Sequence, residues 1–280
     1  MFKKILIYTG YVLITAALVA YFFWSSVLTA EETEKLYCTE IKVSVLDSAQ
    51  NRFVSPAEIK ELLRVEGITP GESKIRHINL YELENTINNK TAVKISQVSV
   101  NRRGILYVDI TQRRPVLRLE TANGGFYMDE TAYIFPLMRS FTSYVPVVTG
   151  NIPLNIPVGF RGELKNNQKW AHMIHNLGIY LERESFWNSM VEQIYVDEKG
   201  VLSFIPRVGS FEVIFGEPDN IEYKFHKLEA FYSKVIPAQG WSAYKSVDLR
   251  YGNQLVCKKS EKKSEEKSEK KSEKKQDIKT

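Results

Sequence analysis

Twenty consecutive residues without a charge, Ile5 to Trp24 (ILIYTGYVLITAALVAYFFW), set the first constraint on this chain. A helix of that length rises about 30 Å, the thickness of a bilayer's hydrocarbon core. Lys3 and Lys4 precede the run, and Glu31, Glu32 and Glu34 follow it. Lysine before and acid after orients the N-terminus to the cytoplasm and the remainder to the outside. Tyr21, Phe22, Phe23 and Trp24 gather at the outer end, as interfacial aromatics do. A cleaved signal would have a shorter apolar stretch and a small-residue cleavage site; Leu28-Thr29-Ala30 fits poorly because Leu28 is large. The reading is a stub over residues 1–4, a membrane anchor from Ile5 to Trp24 and a linker over 25–38.

Charge narrows the function. The formal net charge is +5, but residues 258–280 hold ten Lys against six Asp or Glu and account for +4 of it. The rest of the chain is near neutral, unlike a nucleic-acid-binding body. The two cysteines, Cys38 and Cys257, are too few for a disulfide framework and form no C-x-x-C pair. Free, half-buried thiols are expected.

Beyond the linker, Ile41, Val43 and Val45 suggest a short strand. Ser55-Pro56-Ala57-Glu58 is a capping box with proline at the first helical position, so a helix should run from Pro56 to about Leu63. Asn79 with Glu82 caps a second helix. Two strands follow, over 95–102 and 105–112, with Leu106, Val108 and Ile110 on one side and a turn at Asn101-Arg102-Arg103-Gly104. This is a compact β-α-α-β-β unit over 39–112.

Arg113-Arg114-Pro115 marks a boundary, since proline sits poorly inside a central strand. Short strands and turns then recur. A helix is expected from about Gln168 to Leu181, three strands over 191–196, 201–206 and 211–215, a helix from Ile221 to Val235, and a last strand from about Ser246 to Val256. The fold class is α+β: one N-terminal transmembrane helix, the β-α-α-β-β unit, then a mixed β domain with two helices over 113–257. The KKSE repeats over 258–280 offer almost no apolar surface to offset ordering entropy, so a disordered tail is expected.

Chemistry is hard to place on this sequence. No H-E-x-x-H, G-x-S-x-G, P-loop or dinucleotide fingerprint occurs. His172 and His175 have metal-capable i, i+3 spacing but no acidic partner at motif distance, and Asp129-Glu130 and Asp197-Glu198 read as turns. No catalytic, cofactor-binding or metal-ligating residue is assigned.

Several segments together resemble the FtsQ/DivIB family of bacterial cell-division proteins. They are the stub and single span; the unit carrying Val54-Ser55-Pro56-Ala57-Glu58-Ile59, which looks like a POTRA domain; the junction Val98-Ser99-Val100-Asn101-Arg102, Val108-Asp109-Ile110 and Arg113-Arg114-Pro115-Val116; the stretches Tyr127–Ala132 and Val145–Gly150; and Val247-Asp248-Leu249-Arg250-Tyr251-Gly252-Asn253 near the end. The likeness covers about residues 1–257. It departs at Thr91-Ala92-Val93-Lys94, which lacks the family's aromatic, and in the KKSE tail.

The resemblance implies a divisome scaffold without enzyme activity or cofactor. It would sit in the inner membrane with its bulk in the periplasm, enriched at the septum. There it would join membrane proteins of the FtsB and FtsL type and other septal proteins, and help regulate septal peptidoglycan synthesis. The second domain would bind FtsB and FtsL through its C-terminal edge strand. The partner-binding candidates are Val247, Leu249, Arg250, Tyr251 and Asn253, on an edge over 247–256. In the competing reading, Leu249 and Tyr251 fill the core and Asp248 pairs with Arg250. A generic POTRA-containing scaffold for envelope assembly or secretion is the alternative function. Homo-oligomerisation stays open.

Overall fold

The computed structural model describes residues 10–11, 13–25, 36–49, 52–90, 92–165 and 167–260. Of the anchor, residues 10–11 and 13–24 are helical, with Leu13, Val19, Phe23 and Trp24 exposed, and the helix continues to Ser25. Ile5 lies outside the described residues. Among those that are described, no helix is long and apolar enough to cross a membrane. The chain otherwise forms two compact units, residues 1–113 and 114–280.

The first unit has β1 (Glu40–Val45), α1 (Pro56–Val65), a 3-10 turn (Ile75–His77), α2 (Leu80–Lys90), β2 (Val93–Val100) and β3 (Ile105–Gln112). The sheet order is β1-β3-β2, with β1 parallel and β2 antiparallel to β3. Both helix starts form as the sequence indicates. Ser55 and Glu58 cap one another reciprocally, and Asn79 Oδ1 accepts from Glu82 N–H at 3.2 Å. On β3, Leu106, Val108 and Ile110 are fully buried, as are Ile59 and Leu63 on α1 and Ile87 on α2. Gln112 occupies the next position on that stripe, and its burial is made tolerable by pairing. Its side chain accepts from Val54 N–H at 2.8 Å and donates to Asp47 at 3.1 Å. The hairpin turn requires glycine at 104, where φ is +77° and a Cβ would lie 2.1 Å from the Tyr37 carbonyl oxygen.

The second unit contains β4 (Pro115–Thr121), β5 (Gly124–Asp129), β6 (Ile134–Pro136), β7 (Val147–Gly150), α3 (Gln168–Arg183), α4 (Ser185–Met190), β8 (Gln193–Val196), β9 (Leu202–Phe204), β10 (Glu212–Gly216), α5 (Ile221–Ala230), α6 (Ile236–Gln239), β11 (Tyr244–Asp248) and β12 (Val256–Lys259). The nine strands β4 to β12 form one mixed sheet, ordered β12-β11-β10-β9-β8-β7-β4-β5-β6. Gly178 lets α3 approach β4, for a Cβ there would come within 2.6 Å of Leu117. The helix expected to end at Val235 instead runs through a π-helical turn, Phe231–Val235, into α6. Pro237 explains the turn: it has no N–H, and its ring crowds the carbonyl of Ser233 four residues back.

The last strand also differs from expectation. It is two strands, because Arg250–Gln254 turn outward between them and are exposed. Lys258 and Lys259, assigned above to the tail, belong to β12; backbone pairing with β11 does not require apolar side chains. The rest of that tail, residues 261–280, lies outside the described residues.

Gly104→Ala tests the first unit. A left-handed alanine and a backbone clash should together cost at least about 2 kcal/mol, read as a lower urea midpoint for the transition that unfolds residues 36–113.

Candidate partner-binding site

The two ends of the nine-stranded sheet differ. β6 is three residues long and ends in Pro136, and Ile134 exchanges backbone hydrogen bonds with Gly162 at 2.9 and 3.0 Å. That edge is short, proline-ended and covered, which are the devices that block strand addition. At the other end β12 pairs with β11 on one side, and among the described residues no strand pairs with its outer side. Ser260 N–H donates inward to Ala243 O at 3.1 Å. Alternation along the strand therefore points the N–H groups of Val256 and Lys258 inward and those of Cys257 and Lys259 outward. Neither thiol is bonded to another: Cys257 is half-buried, while Cys38 in the first unit is fully buried. Burial pushes both thiols up.

Beside this edge lies the turn between β11 and β12. Val247 and Leu249 are fully buried and belong to the hydrophobic core. They cannot meet a partner directly. Arg250, Tyr251 and Asn253 are exposed on the turn, with Tyr251 at 46%. Of the five candidates, three are thus presented together and two support them from beneath. The Asp248–Arg250 pair of the competing reading is also formed, although Tyr251 does not fill the core.

Three contacts hold the turn. First, the Arg250 guanidinium forks onto Asp248, with Nη2 to Oδ2 at 2.6 Å and Nε to Oδ1 at 3.0 Å, and Arg250 N–H donates to Asp248 Oδ1 at 3.0 Å. Second, the Arg250 stem packs over Gly216, whose φ is +89° and where a Cβ would meet Arg250 Cγ at 2.8 Å. Third, α5 reaches across. Lys227 Nζ donates to Leu249 O at 2.7 Å and to Tyr251 O at 2.6 Å, and the Tyr223 hydroxyl donates to Gly252 O. Tyr223 and Lys227 are i, i+4 neighbours on one helix face, with the ammonium 5.1 Å from the ring centroid. Phe225 and Leu228 bury the other face. Lys224, one residue further round, is buried and pins the β10–α5 loop through Glu217 O at 2.7 Å and Asp219 at 2.5 Å.

Sequence reasoning missed Tyr223 and Lys227. Their helical spacing was available, but their acceptors are backbone carbonyls of a distant turn, which no side-chain pattern announces.

Charge fits this arrangement. Burial pushes the Asp248 carboxyl up, but the Arg250 guanidinium, its backbone N–H and its charge outweigh that and hold it below the ordinary value of 3.8. Lys227 is lowered, first by burial and then by Lys224, against an opposing pull from Asp248. Elsewhere, among the described residues, no group of three His, Cys, Asp or Glu gathers as a metal cluster, and His172 and His175 acquire no third donor.

A family model described as FtsQ/DivIB, C-terminal related, matches residues 114–258, more than half of the chain, and ends within β12. The chain belongs to the FtsQ/DivIB family. A second model, described as a POTRA-like domain, matches residues 36–111 and coincides with the β-α-α-β-β unit. No curated protein gives a match. Membership in the FtsQ/DivIB family connects the chain with cell division.

Asp248→Asn tests the charge pair. Its loss should cost about 1 kcal/mol at neutral pH, since Arg250 is half exposed. The wild-type contribution is complete above the ordinary carboxylate value of 3.8 and is lost as pH falls through the lower folded value. Urea midpoints of the two proteins should therefore converge in acid, and a constant difference down to about pH 2 would contradict the pairing.

Proposed function

We propose that this protein is a divisome scaffold. It is anchored in the inner membrane by Ile5 to Trp24, with both units outside the cytoplasm at the division septum. It binds FtsB- and FtsL-type proteins by adding a partner strand to β12, and so helps control septal peptidoglycan synthesis. The observation that carries the reading is the outer side of β12, unpaired among the described residues, in an FtsQ/DivIB-related domain whose other sheet edge is covered. Backbone hydrogen bonds from Cys257 and Lys259 supply affinity in such an arrangement, and side chains supply specificity. Arg250 and Tyr251 are residue types that often dominate interfaces, and they stand beside the edge. The uncharged run and its flanking lysines support the anchor, while the POTRA-like unit suits contacts with further septal proteins.

Lys259→Pro is the direct test. Proline removes an outward N–H without breaking the pairing to β11, so the fold should survive. Capture of the extracytoplasmic segment of the FtsB-type protein by the full-length chain in detergent should fall at least about tenfold, or about 1.4 kcal/mol. Undiminished capture by a folded variant would rule out strand addition. In cells, depletion should give filaments with unfinished septa, and normal division would remove the divisome role.

A further inference from the structure

We propose that Lys227 is the positioning residue of this edge: partner affinity depends on it because it holds the Leu249–Asn253 turn in the geometry that presents Arg250 and Tyr251. The inference rests on the reading of β12 as the partner edge. Arg250–Gln254 are exposed, and a run of exposed residues between two strands has little packing of its own to fix it. One ammonium instead joins the carbonyl of Leu249, at the base of that run, to the carbonyl of Tyr251 within it, and Tyr223, one helical turn away, takes the carbonyl of Gly252. Lysine suits the task, for it offers three donors and no acceptor. The helix that carries it is immobilised from behind, where Phe225 stacks on Tyr180 with centroids 4.9 Å apart and packs on Trp187 at 4.9 Å and Phe215 at 5.4 Å. Asp248 and Gly216 further hold Arg250 at the start of the turn. A turn held by these contacts loses little freedom when a partner docks, and that cost is one that binding must otherwise meet.

The experiment compares wild type, Lys227→Met, Lys227→Arg and Tyr223→Phe as full-length chains in detergent, binding the same FtsB-type segment. Lys227→Met should weaken binding about tenfold, mainly through faster dissociation. Lys227→Arg should recover most of it, since a guanidinium also donates to carbonyls. Tyr223→Phe should fall between. The salt dependence of the association rate should stay unchanged, whereas a lysine meeting an acidic partner directly would reduce it. In the free protein, amide exchange over Gly252–Leu255 should quicken in the order of the affinity losses.

Wild-type affinity in folded Lys227→Met, or an altered salt dependence, overturns the positioning role. If Lys227→Met does not fold, Tyr223→Phe and Lys227→Arg decide: exchange and affinity must move together, and exchange without affinity loss overturns it. The two readings fail separately. A segment that binds neither wild type nor any variant removes the edge itself. Binding blocked by Lys259→Pro but indifferent to Lys227 removes only the positioning role.

Discussion

An open sheet has two edge rows of peptide groups, and among the described residues the second unit treats its two rows differently. At β6 the chain closes the row with Pro136 and a bridge to Gly162. At β12 it leaves Cys257 and Lys259 facing outward. The difference is informative because unpaired edges invite aggregation, and Pro136 and the Gly162 bridge are ordinary ways of managing the hazard. β12 carries lysines, a milder deterrent that discourages indiscriminate pairing while leaving its N–H groups available.

What fixes the open edge is a division of labour within one short helix. Apolar burial holds α5 in place: Phe225 and Leu228 are essentially inaccessible, and burying each is worth about 1.5–3 kcal/mol. The polar contacts are weaker, on the order of 1 kcal/mol apiece. They are directional, however, and so determine where the turn sits. Lys224 and Lys227, three residues apart and neighbours on the helix surface, reach different segments, one to the loop before the helix and one to the turn after β11. Two neighbouring lysines thereby tie three segments into one block.

Local rules recovered the first unit well because its signals are local. Ser55 and Glu58 are three residues apart, Asn79 and Glu82 likewise, and the β3 stripe alternates without interruption. The final strand failed for the opposite reason. Val247, Leu249, Leu255 and Val256 look like one apolar run, yet Tyr251-Gly252-Asn253 inside it carry turn propensity that the run obscured. The π-helical turn had a visible cause in Pro237. The clamp had none, since Lys227 binds carbonyls, and every residue type supplies a carbonyl.

The burial of Val247 and Leu249 alters how specificity must arise. In the proposed strand addition, the backbone bonds are the same with almost any extended segment, so discrimination would fall to side chains. Beside the strand, Arg250 and Tyr251 are exposed and carried on a turn rather than on the ladder. Arg250 keeps half its surface while Asp248 holds its fork, so its remaining donors point in a fixed direction. Such a side chain rejects a mismatched segment more sharply than a mobile one, because it cannot swing aside to relieve an unpaired charge. On the proposed reading, rigidity of the turn serves selectivity as well as affinity.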